Sequence, residues 1–138
     1  MERAQASTRV PTYDYSQWPV FVVKMPPNAL SLAELQAHLV ACEEPYRRGQ
    51  SFSWVIDLRD APPPPAAQRK ALAEAMREHS ERYPGLVRGV ALVVRTAFER
   101  GVVTAISWLS RPPYPQAVFD NFADARAWAT RKLVESKP

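Results

Sequence analysis

The chain has 138 residues, 46% of them hydrophobic, and a formal net charge of +4. That length suits one domain with its own core, and the hydrophobic content indicates a folded globule. No apolar run approaches the ~20 residues of a membrane-spanning helix, and the N-terminus lacks the apolar core of a signal peptide. The single cysteine, Cys42, excludes an internal disulfide, so we expect a cytoplasmic protein.

The positive charge is unevenly distributed and consists mostly of arginine. Residues 1–60 carry six Lys or Arg against seven Asp or Glu, whereas residues 61–138 carry twelve against seven. Nucleic-acid binding would normally use a basic cluster or an interleaved aromatic motif, and the sequence has neither. A solvated, arginine-rich surface is the better interpretation, and a nucleic-acid partner is not expected.

Two strand segments are predicted before the first helix, after a polar lead-in over residues 1–12 that we expect to be flexible. The segment 12–16, TYDYS, alternates well enough for a short edge strand. The segment 19–25, PVFVVKM, is typical of a strand with a proline at its start. The two segments form either separate strands or one long bent strand.

The first helix follows a capping box, in which Ser31 and Glu34 precede an apolar stripe. Pro45 lies inside this pattern, so we expect the helix to kink or end near Glu44. The stripe consists of Leu32, Leu35, Leu39, Cys42 and Tyr46.

The segment 52–60, FSWVIDLRD, is the feature around which the chain is organised. Its first half is short, apolar and rich in β-branched and aromatic residues, which predicts a strand buried in the middle of a sheet. It ends in three charged residues, Asp57, Arg59 and Asp60, and four prolines then lead into a helical pattern. Open α/β sheets place their sites at such strand ends.

The rest of the chain continues this alternation. We predict helices over 66–83, over 98–110 and after Asn121, separated by strands over 88–96 and 116–120. Strands that alternate with helices indicate an α/β fold with parallel neighbours and right-handed crossovers. We expect a single domain over residues 13–134.

The charged strand end is the first candidate for a functional site. Asp57, Arg59 and Asp60 would bind a ligand or a partner there, and the alternative is a structural Arg–Asp pair that holds the strand to a neighbouring loop. Arg100 and Gly101 are a second candidate, because a helix start offers backbone N–H groups and a cation to an anion. The alternative for Gly101 is close packing of the helix on a strand.

The proline-rich loop after the third long helix is a further candidate. Its contact residues would be Tyr114 in the loop and Trp108 behind it, because aromatic and proline residues lose little entropy when a partner binds. The same residues would equally serve as a packed connection between a helix and a strand.

The motifs of common enzyme chemistry are missing from the sequence. All four glycines are isolated, so there is no P-loop or dinucleotide-binding motif, and there is no G-x-S-x-G. His38 and His79 belong to different helices and lack a second ligand at metal-binding spacing. Cys42 is expected to be buried and inert. We therefore expect no cofactor, no metal and no catalytic residue.

Several stretches of the chain resemble the STAS/SpoIIAA-like domains, and more narrowly the small stand-alone bacterial members of that group. They are WPVFVVKMP, FSWVIDLRD with the proline-rich turn and AAQRK, RGVALVVRT, and RGVVTAISWLSRPPYPQAVFDNFADARAWA, spanning about Asp14 to Leu133. The resemblance implies a mixed sheet of four to five strands with about four helices packed on it. It also implies protein binding, as in anti-sigma-factor antagonists, stressosome components or transporter regulators, while some members bind nucleotides or lipids.

One departure from that resemblance concerns regulation. Antagonist members carry a phosphorylatable serine in a turn at the start of the helix after the central strand. The corresponding region, Ala61–His79, contains no Ser or Thr, so a kinase-controlled switch at that position is not expected. The neighbouring docking surface, from Arg59 through Gln68 and Arg69, is expected to persist.

The predicted function is a non-enzymatic protein-interaction and regulatory module. Its partner surface would consist of Asp57–Asp60, the first turn of the second long helix, and Arg100. The alternative is a binding protein for a nucleotide or lipid-like ligand, with the same strand ends and Trp108 lining a pocket. An enzyme with Asp57 or Asp60 as general base would need a carboxyl with a raised pKa in a cleft. A homodimer through the edge strand 12–16 is compatible with the sequence.

Overall fold

The computed structural model describes residues 10–110 and 112–135, except for the side chains of 102 and 105–110. In this part of the chain five strands form one sheet in the order β1-β2-β3-β4-β5. β1 is antiparallel to β2, and the other neighbours are parallel, so the sheet is mixed as predicted. The strands are β1 (Thr12–Asp14), β2 (Val20–Lys24), β3 (Phe52–Asp57), β4 (Val87–Val93) and β5 (Gln116–Phe119).

The predicted central strand is confirmed, since β3 lies between β2 and β4. The first two segments are separate strands joined by a turn, in which the Trp18 N–H donates to the Tyr15 carbonyl over 3.0 Å. β1 begins at Thr12, one residue before the expected start of the domain, and the preceding Pro11 is buried.

Four helices and one single helical turn accompany the sheet. They are α1 (Leu32–Ala41), a one-turn helix (Glu44–Arg47), α2 (Ala66–Arg82), α3 (Ala97–Ser110) and α4 (Phe122–Val134). The capping box of α1 is confirmed, because the Ser31 hydroxyl accepts the Glu34 N–H and the Glu34 carboxylate accepts the Ser31 N–H. Asn121 caps α4 by accepting the Asp124 N–H over 2.9 Å. These caps satisfy N–H groups that have no partner inside the helix.

The apolar stripe predicted for the first helix is partly wrong. Leu35 and His38 are its buried residues, whereas Leu32 is 74% exposed. The helix ends at Ala41, and Pro45 then lies in the first turn of the one-turn helix, where a missing N–H costs nothing. Apolar residues surround α1 on all sides, so periodicity alone did not identify the buried face.

Two cores lie on opposite faces of the sheet, because successive strand side chains point to opposite sides. The α4 face combines small and β-branched residues, such as Val55 and Val93, with Ala125 and Ala129 of α4. The crossover face, covered by the helices that connect parallel strands, is mainly aromatic. Its buried members are Phe21, Val23, Cys42, Tyr46, Phe52, Trp54 and Val90.

Gly89 of β4 allows α4 to approach the sheet closely. A Cβ at this position would lie 2.9 Å from Cζ3 of Trp128 and 3.1 Å from Cγ of Lys132. Of the two alternatives for Gly101, the structure does not have the close packing, because Gly101 is exposed and a Cβ there would meet no atom of the described residues within 4 Å.

We expect Gly89→Ala and Gly101→Ala to have opposite effects on stability. Gly89→Ala should lower the free energy of unfolding by roughly 1–3 kcal/mol, since the Trp128 ring must move. Gly101→Ala should raise it by about 1 kcal/mol, since alanine favours an exposed helical position. Urea unfolding measures both, and a Gly89→Ala variant as stable as the unmodified chain would contradict the packing described for α4.

Candidate functional site

The carboxyl ends of β2 and β3 carry a cluster of four charged residues. Asp57 is buried, and its carboxylate accepts three hydrogen bonds from Arg59: from Nη2 over 2.8 Å, from Nε over 2.9 Å and from the backbone N–H over 3.1 Å. Lys24 is the register partner of Asp57, and its Nζ lies 3.0 Å from Oδ2 of Asp60 and 3.7 Å from Oδ2 of Asp57. Asp57 and Arg59 therefore form a bidentate pair within one loop, which Lys24 joins to Asp60.

The electrostatics of Asp57 do not suit a general base. Burial by itself raises the pKa of this carboxyl, but the hydrogen bonds from Arg59 and the charge of Lys24 outweigh burial and lower the pKa below its ordinary value. A general base at neutral pH needs a shift in the other direction. The arrangement is instead a charge cluster at the end of the central strand, in which both oxygens of the buried Asp57 carboxylate accept hydrogen bonds from Arg59.

A second set of contacts joins the loop after β3 to the loop after β4. Nη1 of Arg95 donates to the Arg59 carbonyl over 3.3 Å, and Nη2 of Arg95 donates to the Glu99 carboxylate over 3.1 Å. The Glu99 N–H donates to the Thr96 hydroxyl and the Arg100 N–H to the Thr96 carbonyl. These two N–H groups at the start of α3 are occupied, so they do not form the anion site predicted there, while the Arg100 side chain is exposed.

Gln68 and Arg69 shape the start of α2. The Gln68 side-chain amide donates to the Leu30 carbonyl over 3.0 Å, which ties α2 to the loop before α1. Arg69 is exposed, and its Nη1 donates to the Pro64 carbonyl over 2.9 Å, bracing the proline-rich loop. Both predicted residues thus lie at the same end of the sheet as Asp57.

Tyr114 lies at the opposite end of the sheet. It precedes β5, whose carboxyl end is Phe119, and it packs into the core of the crossover face, where burial raises its pKa to about 12. Trp108 lies near the end of α3, which runs back from the carboxyl ends of the strands, and its side chain is outside the described residues. The structure therefore does not bring Tyr114 together with Asp57, and Tyr114 belongs to a packed connection.

Phe98 was not among the predicted site residues, yet it is prominent at the carboxyl end of the sheet. It lies in the first turn of α3 and is 79% exposed. The loop after β3 lies at the same end of the sheet, and its residues Pro62, Pro63 and Pro65 are also exposed. In the sequence Phe98 looks like the first member of an apolar helical stripe, so only the structure distinguishes it from a core residue.

The buried pair of His38 and Cys42 was also missed, although both were considered separately. Their i,i+4 spacing on one helix face is the signal, and Sγ of Cys42 lies 3.6 Å from Nε2 of His38. The Tyr13 hydroxyl lies 2.6 Å from Nδ1 of His38. Burial lowers the pKa of His38 to about 4 and raises the pKa of the Cys42 thiol to about 12. Both groups are neutral at pH 7, so the pair is not an activated nucleophile.

Two open cavities lie along α2 and away from the charge cluster. One, of about 520 Å³, is lined by α1 and α2 residues including Leu39, Ala75 and Glu78. The other, of about 370 Å³, is lined by residues including Ser80, Tyr83 and Tyr114. Neither cavity is lined by Asp57, Arg59 or Asp60.

Within the described ranges, no helix combines the length and the apolar character needed to cross a bilayer.

Comparison with known proteins identifies the fold but no closer relationship. No family model and no curated protein matches the chain. Among solved structures, the chain is similar to an uncharacterized protein of the DUF3478 family with a SpoIIAA-like fold from Shewanella loihica PV-4. The TM-score is 0.62 and the identity 13%, over 87% of this chain and 92% of that one. It is also similar to an anti-sigma factor antagonist from Mycobacterium paratuberculosis, with a TM-score of 0.59 and 17% identity over 88% of this chain and 93% of that one. The expected SpoIIAA-like, STAS-type α/β fold is confirmed.

Proposed function

We propose that this chain, which has the SpoIIAA-like fold, is a non-enzymatic regulatory module that binds another protein at the carboxyl end of its sheet. The proposed surface, here called the carboxyl-end surface, consists of Asp60, residues 62–65, Phe98 and Arg100. The anti-sigma factor antagonist of the same fold supports a regulatory role through protein contacts. We place the module in the cytoplasm.

The exposure of Phe98 is the observation that carries this proposal. Phe98 is 79% exposed, which forgoes the free energy gained by burying a phenylalanine, and large aromatic residues are typical binding hot spots. The prolines of the neighbouring loop are held by Arg69, so their docking costs little conformational entropy. An apolar centre with a rim of charges of both signs is the usual composition of a protein interface.

The charge cluster supports the surface from beneath. The Asp57–Arg59 pair fixes the end of β3, and Arg95 links that loop to the start of α3 through the Arg59 carbonyl. The positions of the proline loop and of Phe98 are thereby set relative to each other before a partner arrives. A surface ordered in advance binds more tightly than one that must order on binding.

Regulation in this proposal does not involve phosphorylation of the turn before α2. Residues 61–79 contain no Ser or Thr, so the switch used by antagonists that the chain resembles has no acceptor hydroxyl there. The fraction of the chain in complex would then depend on the concentration of its partner protein. Neither of the two cavities along α2 is lined by Asp57, Arg59 or Asp60, so these two cavities do not support a nucleotide or lipid-like ligand at the charged strand end.

The proposal is tested by quantitative affinity purification of the tagged chain from its own host. We expect a stoichiometric protein companion, and a roughly tenfold or greater loss of it with Phe98→Ser or Arg100→Glu. Val134→Ser is the matched control, because Val134 is 77% exposed near the end of α4, away from the carboxyl-end surface. Melting temperatures of all variants should stay close to that of the unmodified chain, since the three side chains are exposed.

Two results would overturn the proposal. One is a companion that Phe98→Ser and Arg100→Glu retain as well as Val134→Ser does. The other is the absence of any companion together with a small molecule that co-purifies in stoichiometric amount, as native mass spectrometry would detect.

A further inference from the structure

We infer that the outer face of α1 is a self-association surface, on which two copies of this chain pair around a two-fold axis. This face, here called the α1 outer face, consists of Leu32, Ala33, Gln36, Ala37 and Val40, all exposed. It is separate from the carboxyl-end surface, so the inference goes beyond the proposed function and does not depend on it.

The α1 outer face lacks the charges that a solvent-facing helix normally carries. Leu32 is 74% and Val40 72% exposed, and between them lie two alanines and one glutamine. Glu34 is the only Asp, Glu, Lys or Arg of α1, and it closes the capping box. The exposed face of α2, by contrast, carries Lys70, Glu74 and further charged residues. An exposed helix face without charged residues is typical of a contact surface.

The composition of this face excludes a membrane as its preferred occupant. Helices that lie on membranes place Lys and Arg beside their apolar face, and α1 has none. Beside this face, at Leu39, lies the groove between α1 and α2, which is lined by Glu74, Glu78 and Glu81, with Arg77 as the one cation among its lining residues. Anionic lipid headgroups would be repelled by those carboxylates.

A second copy of the chain fits the face because the face is complementary to itself. Leu32, Gln36 and Val40 follow one another at intervals of four residues, so they lie in line along the helix. In an antiparallel pair with the two-fold axis at Gln36, Leu32 of one copy meets Val40 of the other. Ala33 and Ala37 let the helices approach closely, and each Gln36 amide can both donate to and accept from its symmetry mate.

The size of the face sets the expected strength of the dimer. Ten helical residues span ~15 Å, so the contact falls at the small end of specific interfaces, below about 1,200 Å². We therefore expect a reversible dimer with a dissociation constant of roughly micromolar to tens of micromolar. The edge strand β1 has three residues and offers much less pairing.

Sedimentation velocity of the full chain over ~1–200 μM tests this inference. The unmodified chain should dimerise reversibly, and Ala37→Arg or Val40→Glu should weaken the dimer at least tenfold. Ala127→Arg, at an exposed alanine of α4, is the matched control and should leave the dimer unchanged. Circular dichroism verifies that each variant is folded.

Charge pairs at the axis give a second test. Gln36→Lys and Gln36→Glu should each be monomeric, because like charges then meet at the two-fold axis, and mixing the two variants should restore a dimer. A chain that is monomeric throughout, or a dimer that survives Ala37→Arg and Val40→Glu, would overturn the inference. If the mixture of the two variants fails to associate, the two-fold arrangement is wrong. The inference is also overturned if the unmodified chain binds lipid vesicles but does not dimerise in their absence.

Discussion

Replacing Trp54 by alanine should lower the free energy of unfolding by roughly 3–5 kcal/mol, the usual cost of truncating a buried aromatic residue. Trp54 lies in the central strand with 1% of its surface exposed. Its ring centroid is 5.0 Å from that of Phe21 and 5.6 Å from that of Phe52. Because a domain of this size is stable by only about 5–15 kcal/mol, we expect a variant close to unfolding at 37 °C. Urea unfolding at 10–25 °C measures the loss.

Trp54→Phe is the matched control, and it should cost less than half as much. Phenylalanine keeps most of the aromatic contacts of the indole with Phe21 and Phe52 and fills part of the volume that alanine leaves empty. Equal losses for Trp54→Phe and Trp54→Ala would show that these ring contacts are not what Trp54 contributes to stability.

Acid should destabilise the protein through His38 before it acts on the carboxylates. Burial lowers the pKa of His38 from 6.5 to about 4, so the folded state keeps the ring neutral while the unfolded chain takes up a proton. The contribution of the neutral His38 to the free energy of unfolding is therefore fully present above pH 6.5, and it is lost as the pH decreases to about 4. The difference of about 2.5 pKa units corresponds to a loss of about 3 kcal/mol.

The comparison that isolates this contribution is His38→Gln. Glutamine retains an acceptor for the Tyr13 hydroxyl but does not titrate. The variant should lose most of the dependence of unfolding free energy on pH between 7 and about 4.5. Burial also lowers the pKa of His79, so a smaller slope of the same sign should remain. If the unfolding free energy of His38→Gln depends on pH between 7 and about 4.5 as strongly as that of the unmodified chain, the pKa of His38 is not lowered in the folded protein.

Protonation of the Asp57 carboxyl should lower stability at a lower pH than protonation of the histidines, so the two effects can be measured separately. Its pKa is lowered in the folded state, so it contributes stability above the ordinary aspartate pKa and loses that contribution only as the pH falls through the lowered value. The histidine region and the aspartate region of a pH–stability profile therefore do not coincide.

The order of elements was predictable from the sequence because local signals agreed with the tertiary structure. The apolar segment 52–57 is the central strand, and the capping box of α1, the prolines before α2 and the N-cap Asn121 of α4 indicate the helix starts to within a residue or two. The mixed character of the sheet came from the resemblance, and the structure confirms it.

The site was less predictable because it depends on contacts between distant segments. Lys24 reaches Asp57 and Asp60 through the register of β2 and β3, which no local pattern encodes. Tyr114 was predicted as a separate candidate, and it lies at the opposite end of the sheet from the strand-end charges because a crossover helix returns the chain to that end before β5. Phe98 and Leu32 are apolar residues in a helical pattern, and that pattern does not indicate whether such a residue is buried or exposed.

The position of α4 has a consequence for how the chain acquires its structure during synthesis. The helices that connect the parallel strands are made between those strands and can cover the crossover face as the sheet grows. The opposite face, which includes Val20, Val22 and Val55, is covered by α4, and α4 is synthesised after all five strands. Nascent chains that have completed β5 but not α4 therefore expose an apolar sheet surface, and this is the stage at which a chaperone would be needed most.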